Sequence, residues 1–145
     1  ERLDELNSYR IDLANYLTEK IKEFSFLSPP LIRESCSHVY YLYPIKYDSE
    51  KLGISRDHFV QALSAEGFPV SNYVRPLPNL PLYRNKFGNH PSYNLNNLSI
   101  VKRLWEESMI VTPICRPPLN ETHIDEFIQG IKKIENNIET LKENL

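Results

Sequence analysis

The sequence predicts an α/β protein of the α+β kind: a small, mostly antiparallel sheet covered by helices, with a long helix at each end. Apolar residues recur at helical spacing at both ends of the chain. Short runs rich in β-branched and aromatic residues lie between them. The order read from these patterns is helix, strand, helix, strand, loop, helix, strand, helix. Few strands among non-adjacent helices imply a sheet covered mainly on one face.

Leu3, Leu6, Leu13, Leu17, Ile21 and Phe24 recur at steps of three, four and seven, which predicts an amphipathic helix over about the first 24 residues. Ser28-Pro29-Pro30 is expected to end it. Val39–Tyr47 (VYYLYPIKY) reads as a strand, and Pro44 within it argues for an edge position or a bulge. Ser55 is a candidate N-cap, with Ile54 and Phe59 at the positions of a hydrophobic staple. That helix runs through Val60 and Leu63, and Gly67 is its natural stop.

The stretch Gly67–Tyr83 (GFPVSNYVRPLPNLPLY) holds four prolines, one arginine and no acid. Each proline fixes φ and pushes the residue before it toward extended geometry. A short strand near Pro69–Tyr73 is expected to lead into a stiff extended arm presenting Tyr73, Arg75, Tyr83 and Arg84. Stiff loops carrying aromatic and cationic groups on a scaffold are often binding elements. Arg84–Asn97, with five Asn, reads as a polar loop. Asn97 can cap a helix carrying Leu98, Val101, Leu104 and Trp105 inward, and Met109–Ile114 reads as a strand.

Arg116-Pro117-Pro118 is a turn, and Thr122 to Asp125 approximates a capping box. Ile124, Ile131, Ile138 and Leu145, with Phe127, Ile134 and Leu141, form an a/d seam of about three heptads. A helix this long must spend its far end on the N-terminal helix, on a second copy, or on a further domain.

The 145 residues suit one domain, 41% hydrophobic and 25% charged, with a net charge of −2. Seventeen scattered basic residues against 19 acids give no electrostatic footprint for nucleic acid. No apolar run is long enough to span a bilayer. Cys36 and Cys115 form no metal or disulfide framework, so a reducing, cytoplasmic setting is the default expectation. The chain opens on Glu1 rather than Met, as a piece of a longer protein would.

Only four glycines occur, at 53, 67, 88 and 130, too far apart for a phosphate-cradling loop. His38, His58, His90 and His123 show no metal spacing, and no GxSxG elbow is present. Asp57 and Asp125 are expected in first helical turns, Glu106-Glu107 as a solvated pair, and Tyr40, Tyr41 and Tyr43 as core and rim of a strand.

Taken together, Gly67–Tyr83, Leu98–Glu107 with the strand after it, and Arg116-Pro-Pro-Leu119 before the helix containing Asp125 resemble the C-terminal part of the DegT/StrS-type aminotransferases. Gly67-Phe-Pro-Val-Ser71, Leu80-Pro-Leu-Tyr83, Leu104-Trp105-Glu106 and Arg116-Pro117 fall in the family's order, and SYRIDLANYL, with Tyr9, Arg10 and Tyr16, resembles its interdomain helix. The resemblance covers about residues 8–134. Where many members carry a His-Tyr pair and a later His, this chain has Tyr73-Val74 and Pro78, closer to the cyclitol-acting branch that resembles scyllo-inosose aminotransferases.

The resemblance implies the small domain of a fold-type-I, PLP-dependent enzyme that aminates keto sugars, nucleotide-linked, or cyclitols in sugar or polysaccharide biosynthesis. It implies a division at residues 1–27 (interdomain-type helix) and 28–145 (small α/β domain). It places the Schiff-base lysine and the phosphate seat in a large N-terminal domain outside this sequence. This chain is therefore expected to hold no catalytic residue, no cofactor-binding residue and no metal. Lys86 is expected to be a solvated loop lysine. Tyr73, Arg75, Tyr83 and Arg84 are the candidate substrate-binding residues: arginines can pair with phosphate or carboxylate, and tyrosines can stack or donate. A related PLP-dependent dehydratase or a degenerate member would share this domain. As a domain cut from its partner, the chain is expected to self-associate through Leu3–Phe24 and the Ile131–Leu145 face. A free-standing interaction module assembled by its long terminal helices, which the Ile124–Leu145 seam supports, is the reading of a different class.

Overall fold

The computed structural model describes residues 2–88 and 90–143. Helix α1 (Arg2–Ile21) leads into β1 (Leu27–Ser28), β2 (Tyr43–Tyr47), α2 (Ser49–Leu52), α3 (Arg56–Ala65) and β3 (Ser71–Asn72). Next come a 3-10 turn (Leu77–Asn79), α4 (Pro81–Phe87), two further 3-10 turns (Pro91–Tyr93 and Leu95–Asn97) and α5 (Ser99–Arg103). A π-helical turn (Leu104–Ser108) then runs into β4 (Met109–Thr112), followed by α6 (Glu121–Asn136) and α7 (Ile138–Glu143). The four strands form one sheet in the order β1-β2-β4-β3, every neighbouring pair antiparallel.

Register decides which face each strand residue serves. Tyr43 pairs with Thr112 and Ile45 with Ile110, and these four, with Tyr47, are buried under the helices. Pro44 opposite Val111 and Lys46 opposite Met109 point to the other face. The edge argument for Pro44 holds locally: β2 is second in the sheet, but β1 pairs with it only at Lys46 and Tyr47, so its flank beside Pro44 is open.

The core lies between the sheet and α1, α3 and α6. Phe26, Tyr47 and Phe59 form its aromatic centre, with ring centroids 5.0 to 6.2 Å apart. The Tyr47 hydroxyl donates to the Ile54 carbonyl at 2.8 Å, which keeps that buried end paired. From α6, Ile124, Phe127, Ile128, Ile131 and Ile134 are buried; from α1, Leu13, Ala14, Leu17 and Ile21.

Helix ends follow local chemistry. Ser55 accepts from the His58 amide as N-cap, and Ile54 and Phe59 are both buried, as a staple requires. Gly67 has φ +94°, and the amides of Gly67 and Phe68 reach the carbonyls of Ser64 and Leu63, the paired bonds of a Schellman stop.

Several expectations are corrected. The first helix ends at Ile21, not near residue 24; Phe24 is buried beyond it, and β1 precedes the proline pair. The strand expected from Val39 starts at Tyr43, because Tyr40 turns the chain at φ +47°; its ring stacks on Tyr43, and Tyr41 is exposed. Tyr83 and Arg84 belong to a helix rather than an extended arm, since Pro81 at N1 costs no hydrogen bond there and pre-sets φ. The helix expected behind Asn97 is instead preceded by Leu98 with no side-chain cap, and Asn97 Nδ2 donates to the Pro91 carbonyl. The cap of α6 is Asn120, reciprocated by His123, not Thr122 with Asp125.

The terminal seam is spent within the chain. The helix breaks at Asn137, and Ile138 and Leu141 of α7 pack against the same core; Leu145 lies outside the described residues. Helix α7 lies over α2 and α3: Leu141 shares a hollow with Ala62 and Ala65, and a Cβ at Gly53 would stand 2.9 Å from Lys142 Cε. The Ile131–Ile134 part of the face is therefore not free for a second copy. Leu3, Leu6 and Tyr9, on the first half of α1, are exposed.

Candidate functional site

The sheet face opposite α1, α3 and α6 carries an apolar groove. One wall is the arm after β3, with Tyr73, Val74, Arg75, Pro76 and Leu77. The other is Val101 of α5 with Leu104 and Trp105 of the π-helical turn, and Met109 joins them. The groove encloses about 350 Å³. The prolines hold the arm away from the body, which leaves Val74 68% and Leu77 55% exposed. Apolar side chains left open together mark a surface that meets something else.

A second hollow of about 200 Å³ adjoins it, lined by His38, Tyr41, Leu42, Pro44 and Val111, and it shares Tyr73 and Met109 with the first. Tyr73 thus stands on the ridge between them. His38 Nδ1 accepts from the Tyr40 amide at 2.9 Å, which fixes the ring at this rim.

The structure divides the four sequence-predicted residues into two pairs. Tyr73 and Arg75 line the groove. Tyr83 and Arg84 ride on α4: Tyr83 is half-buried with its ring 6.4 Å from Phe87, and Arg84 lines a separate open hollow with Lys86 and His90. The resemblance placed Trp105 near a helix end but gave it no site role, and the spacing set it inward with Val101. Both instead form a wall: Val101 is exposed, and Trp105 faces the arm across the groove. Met109 had no signal beyond its place at the start of a strand.

Two networks hold the surrounding elements. Tyr16 donates to Asp125 at 3.0 Å and Lys20 pairs with the same carboxylate at 3.0 Å, tying α1 to α6. Lys20 and Tyr16 hold the Asp125 carboxyl below its ordinary range, and Asp125 raises Lys20. At the groove, Arg56 is 5% exposed and its guanidinium contacts Asp57 and the main-chain oxygens of Trp105 and Met109. Burial pushes the Cys115 thiol up to about 12, so it is inert packing, as expected. Cys36 is exposed.

Among the described residues no group of three His, Cys, Asp or Glu side chains could hold a metal, and no helix is long and apolar enough to cross a membrane.

This helix-covered antiparallel sheet is a fold shared with fold-type-I aminotransferases. The chain belongs to the DegT/DnrJ/EryC1/StrS aminotransferase family, which matches residues 1–131. Spore coat polysaccharide biosynthesis protein SpsC of Bacillus subtilis is 23% identical over 135 residues, which are 92% of this chain and 33% of that protein. Spr1654 of Streptococcus pneumoniae, assigned as a sugar aminotransferase and solved in PMP and PLP forms, superposes in its PMP form with a TM-score of 0.75 at 20% identity, over 94% of this chain and 32% of that one. PseC of Helicobacter pylori, an aminotransferase involved in the biosynthesis of pseudoaminic acid, gives 0.73 at 18% identity, over 92% and 34%. The chain thus spans about a third of the length of these relatives.

The cofactor of this family needs a lysine in a dry pocket, an acid on its ring nitrogen and donors for its phosphate. The residues present do not fit it. None of the nine lysines is buried. Lys20, Lys22, Lys51, Lys132, Lys133 and Lys142 are ion-paired with surface carboxylates. Lys86 is exposed, over the Phe87 ring. No chemical step is therefore assigned to this chain.

Proposed function

We propose that this chain is the small domain of a PLP-dependent aminotransferase acting on a keto sugar, nucleotide-linked, or on a cyclitol. The large domain, outside this sequence, supplies the lysine and the cofactor seat, and this chain closes over the cleft and positions the substrate. The observation that carries the reading is the groove on the sheet face opposite α1, α3 and α6, open to a partner and flanked by Tyr73, Arg75 and Trp105. An aromatic ridge stacks on the apolar face of a sugar or base, and an arginine takes a phosphate or carboxylate in two parallel hydrogen bonds. Closing such a surface over a reacting centre excludes water and orients the substrate. Tyr83 and Arg84, displaced onto α4, contribute to a second patch that meets the rest of the protein or the outer end of the substrate. The whole protein works as a cytoplasmic homo-oligomer, with the exposed Leu3, Leu6 and Tyr9 covered in the assembly.

The test uses the complete polypeptide that contains this chain. Arg75→Ala removes a charged hydrogen bond and should raise KM for the sugar substrate about tenfold or more, the effect of about 1.5–3 kcal/mol. Tyr73→Ala should act in the same direction. Both should leave the absorption of bound cofactor unchanged. Unaltered KM in both variants, or loss of the cofactor absorption, would overturn the proposal.

A further inference from the structure

The geometry points to Arg56 as the positioning residue that holds the two walls of the groove in register. Arg56 is the first residue of α3 and belongs to neither wall in sequence, yet its buried guanidinium reaches one wall directly and the start of the other through Asp57. Nη1 donates to the main-chain oxygen of Trp105 and, at 3.4 Å, to that of Met109, at the π-helical turn that forms one wall. Nε and Nη2 contact Asp57 Oδ1 at 2.9 and 2.7 Å. The same Oδ1 accepts from Asn72 Nδ2 at 3.0 Å, and Asn72 is the last residue of β3, directly before Tyr73 and the arm. One planar fork therefore connects Trp105 to the residue that launches Tyr73.

The chemistry explains why an arginine serves here. Carbonyls released by a π-helical turn need donors, and a guanidinium can face them on one edge while it pairs with a carboxylate on another. A lysine ammonium on a flexible stem is a point charge without the rigid fork that spans both. Asp57 balances the buried cation, and its position in the first turn of α3 favours a carboxylate. The unit sets the separation of Tyr73 and Trp105, and with it the width of the opening that the proposed substrate enters. The functional consequence rests on the reading given above. The clamp itself is tested without any ligand, so its failure and the failure of that reading are separate results.

Trp105 is the single tryptophan, so its fluorescence reports this wall alone. Acrylamide quenching of Trp105 is measured on the folded 145-residue chain for Arg56→Met, Arg56→Lys, Asn72→Ala and the control Leu17→Ala, whose site is buried in α1. Folding of each is checked by circular dichroism. Arg56→Met should raise the quenching constant about twofold as the wall opens locally. Arg56→Lys should not restore it, and Asn72→Ala should raise it by a smaller amount. Leu17→Ala, though destabilised, should match the wild type below its unfolding transition. Wild-type quenching in folded Arg56→Met, rescue by Arg56→Lys, or an equal rise in Leu17→Ala would each overturn the proposal. Should Arg56→Met not fold, Asn72→Ala decides: an exposed side chain whose loss leaves Trp105 unchanged carries no link between the walls.

Discussion

Replacing Gly130 by alanine should destabilise the protein, the opposite of the usual effect in a helix. Gly130 lies inside α6, where alanine is favoured over glycine by about 0.8–1 kcal/mol. A Cβ built there would stand 2.3 Å from Phe68 Cε2, with Cδ2 and Cζ at 3.0 and 3.2 Å. Carbon contacts are optimal at about 3.5–4.0 Å, so the ring must move by more than an ångström. It is not free to do so: Phe68 is held by the Schellman stop of α3 and packs edge-on against Phe127 at 5.4 Å. Overpacking of this kind costs about 1–3 kcal/mol. Set against the helical gain, the net loss is about 1 kcal/mol, or a few degrees in Tm. The sharper test is a cycle with Phe68→Ala. With the ring gone, Gly130→Ala should stabilise by about 1 kcal/mol, a coupling near 2 kcal/mol. Urea unfolding followed by Trp105 fluorescence and circular dichroism measures all four proteins. Stabilisation by Gly130→Ala in the wild-type background, or the same sign in both backgrounds, would refute the reasoning.

Other outcomes follow from the same structure. Tyr47→Phe leaves the Ile54 carbonyl buried without its donor and should cost about 1–2 kcal/mol in thermal or urea unfolding. Asp125 titrates below its ordinary value when folded, so its contribution is present above the unfolded value and lost as pH falls through the folded one. A Tm series on Asp125→Asn should accordingly show a flatter acid limb than the wild type, and an unchanged limb would contradict the clasp. If the exposed Leu3 and Leu6 are an assembly surface, the chain self-associates with rising concentration in sedimentation and Leu3→Glu with Leu6→Glu abolishes it, whereas substitutions on the inner face of α6 unfold the chain; a wild type that stays monomeric contradicts that surface.

What the sequence made legible was what short-range rules govern. Ser55, Ile54, Phe59 and Gly67 sit within one helix and its caps, and each occupies the position its chemistry predicts. The buried stripe of α6 follows from period alone. Its continuation did not: the heptad count runs through Asn137, but the helix breaks there and α7 folds onto α3, a destination that was not among the N-terminal helix, second copy and further domain that the seam suggested. The arm shows both sides of the same limit. Its prolines correctly exclude a helix through Val74, but Pro81 at a first helical position favours one, so Tyr83 and Arg84 leave the groove. The clamp was invisible because it joins residues 56, 72 and 105, a contact that no local pattern encodes. Asp57 was read as a helix-dipole residue, which it is, but its partners came only with the fold.

The central claim is that this chain shapes the cleft while residues beyond it perform the chemistry. Adding PLP to the purified 145-residue chain and, in parallel, to the complete polypeptide tests it most directly. The complete polypeptide should develop the visible absorption of a lysine-bound cofactor, trapped by borohydride. The 145-residue chain should develop none. A stable, trappable band on the short chain, lost on replacing one of its nine lysines, would contradict the account.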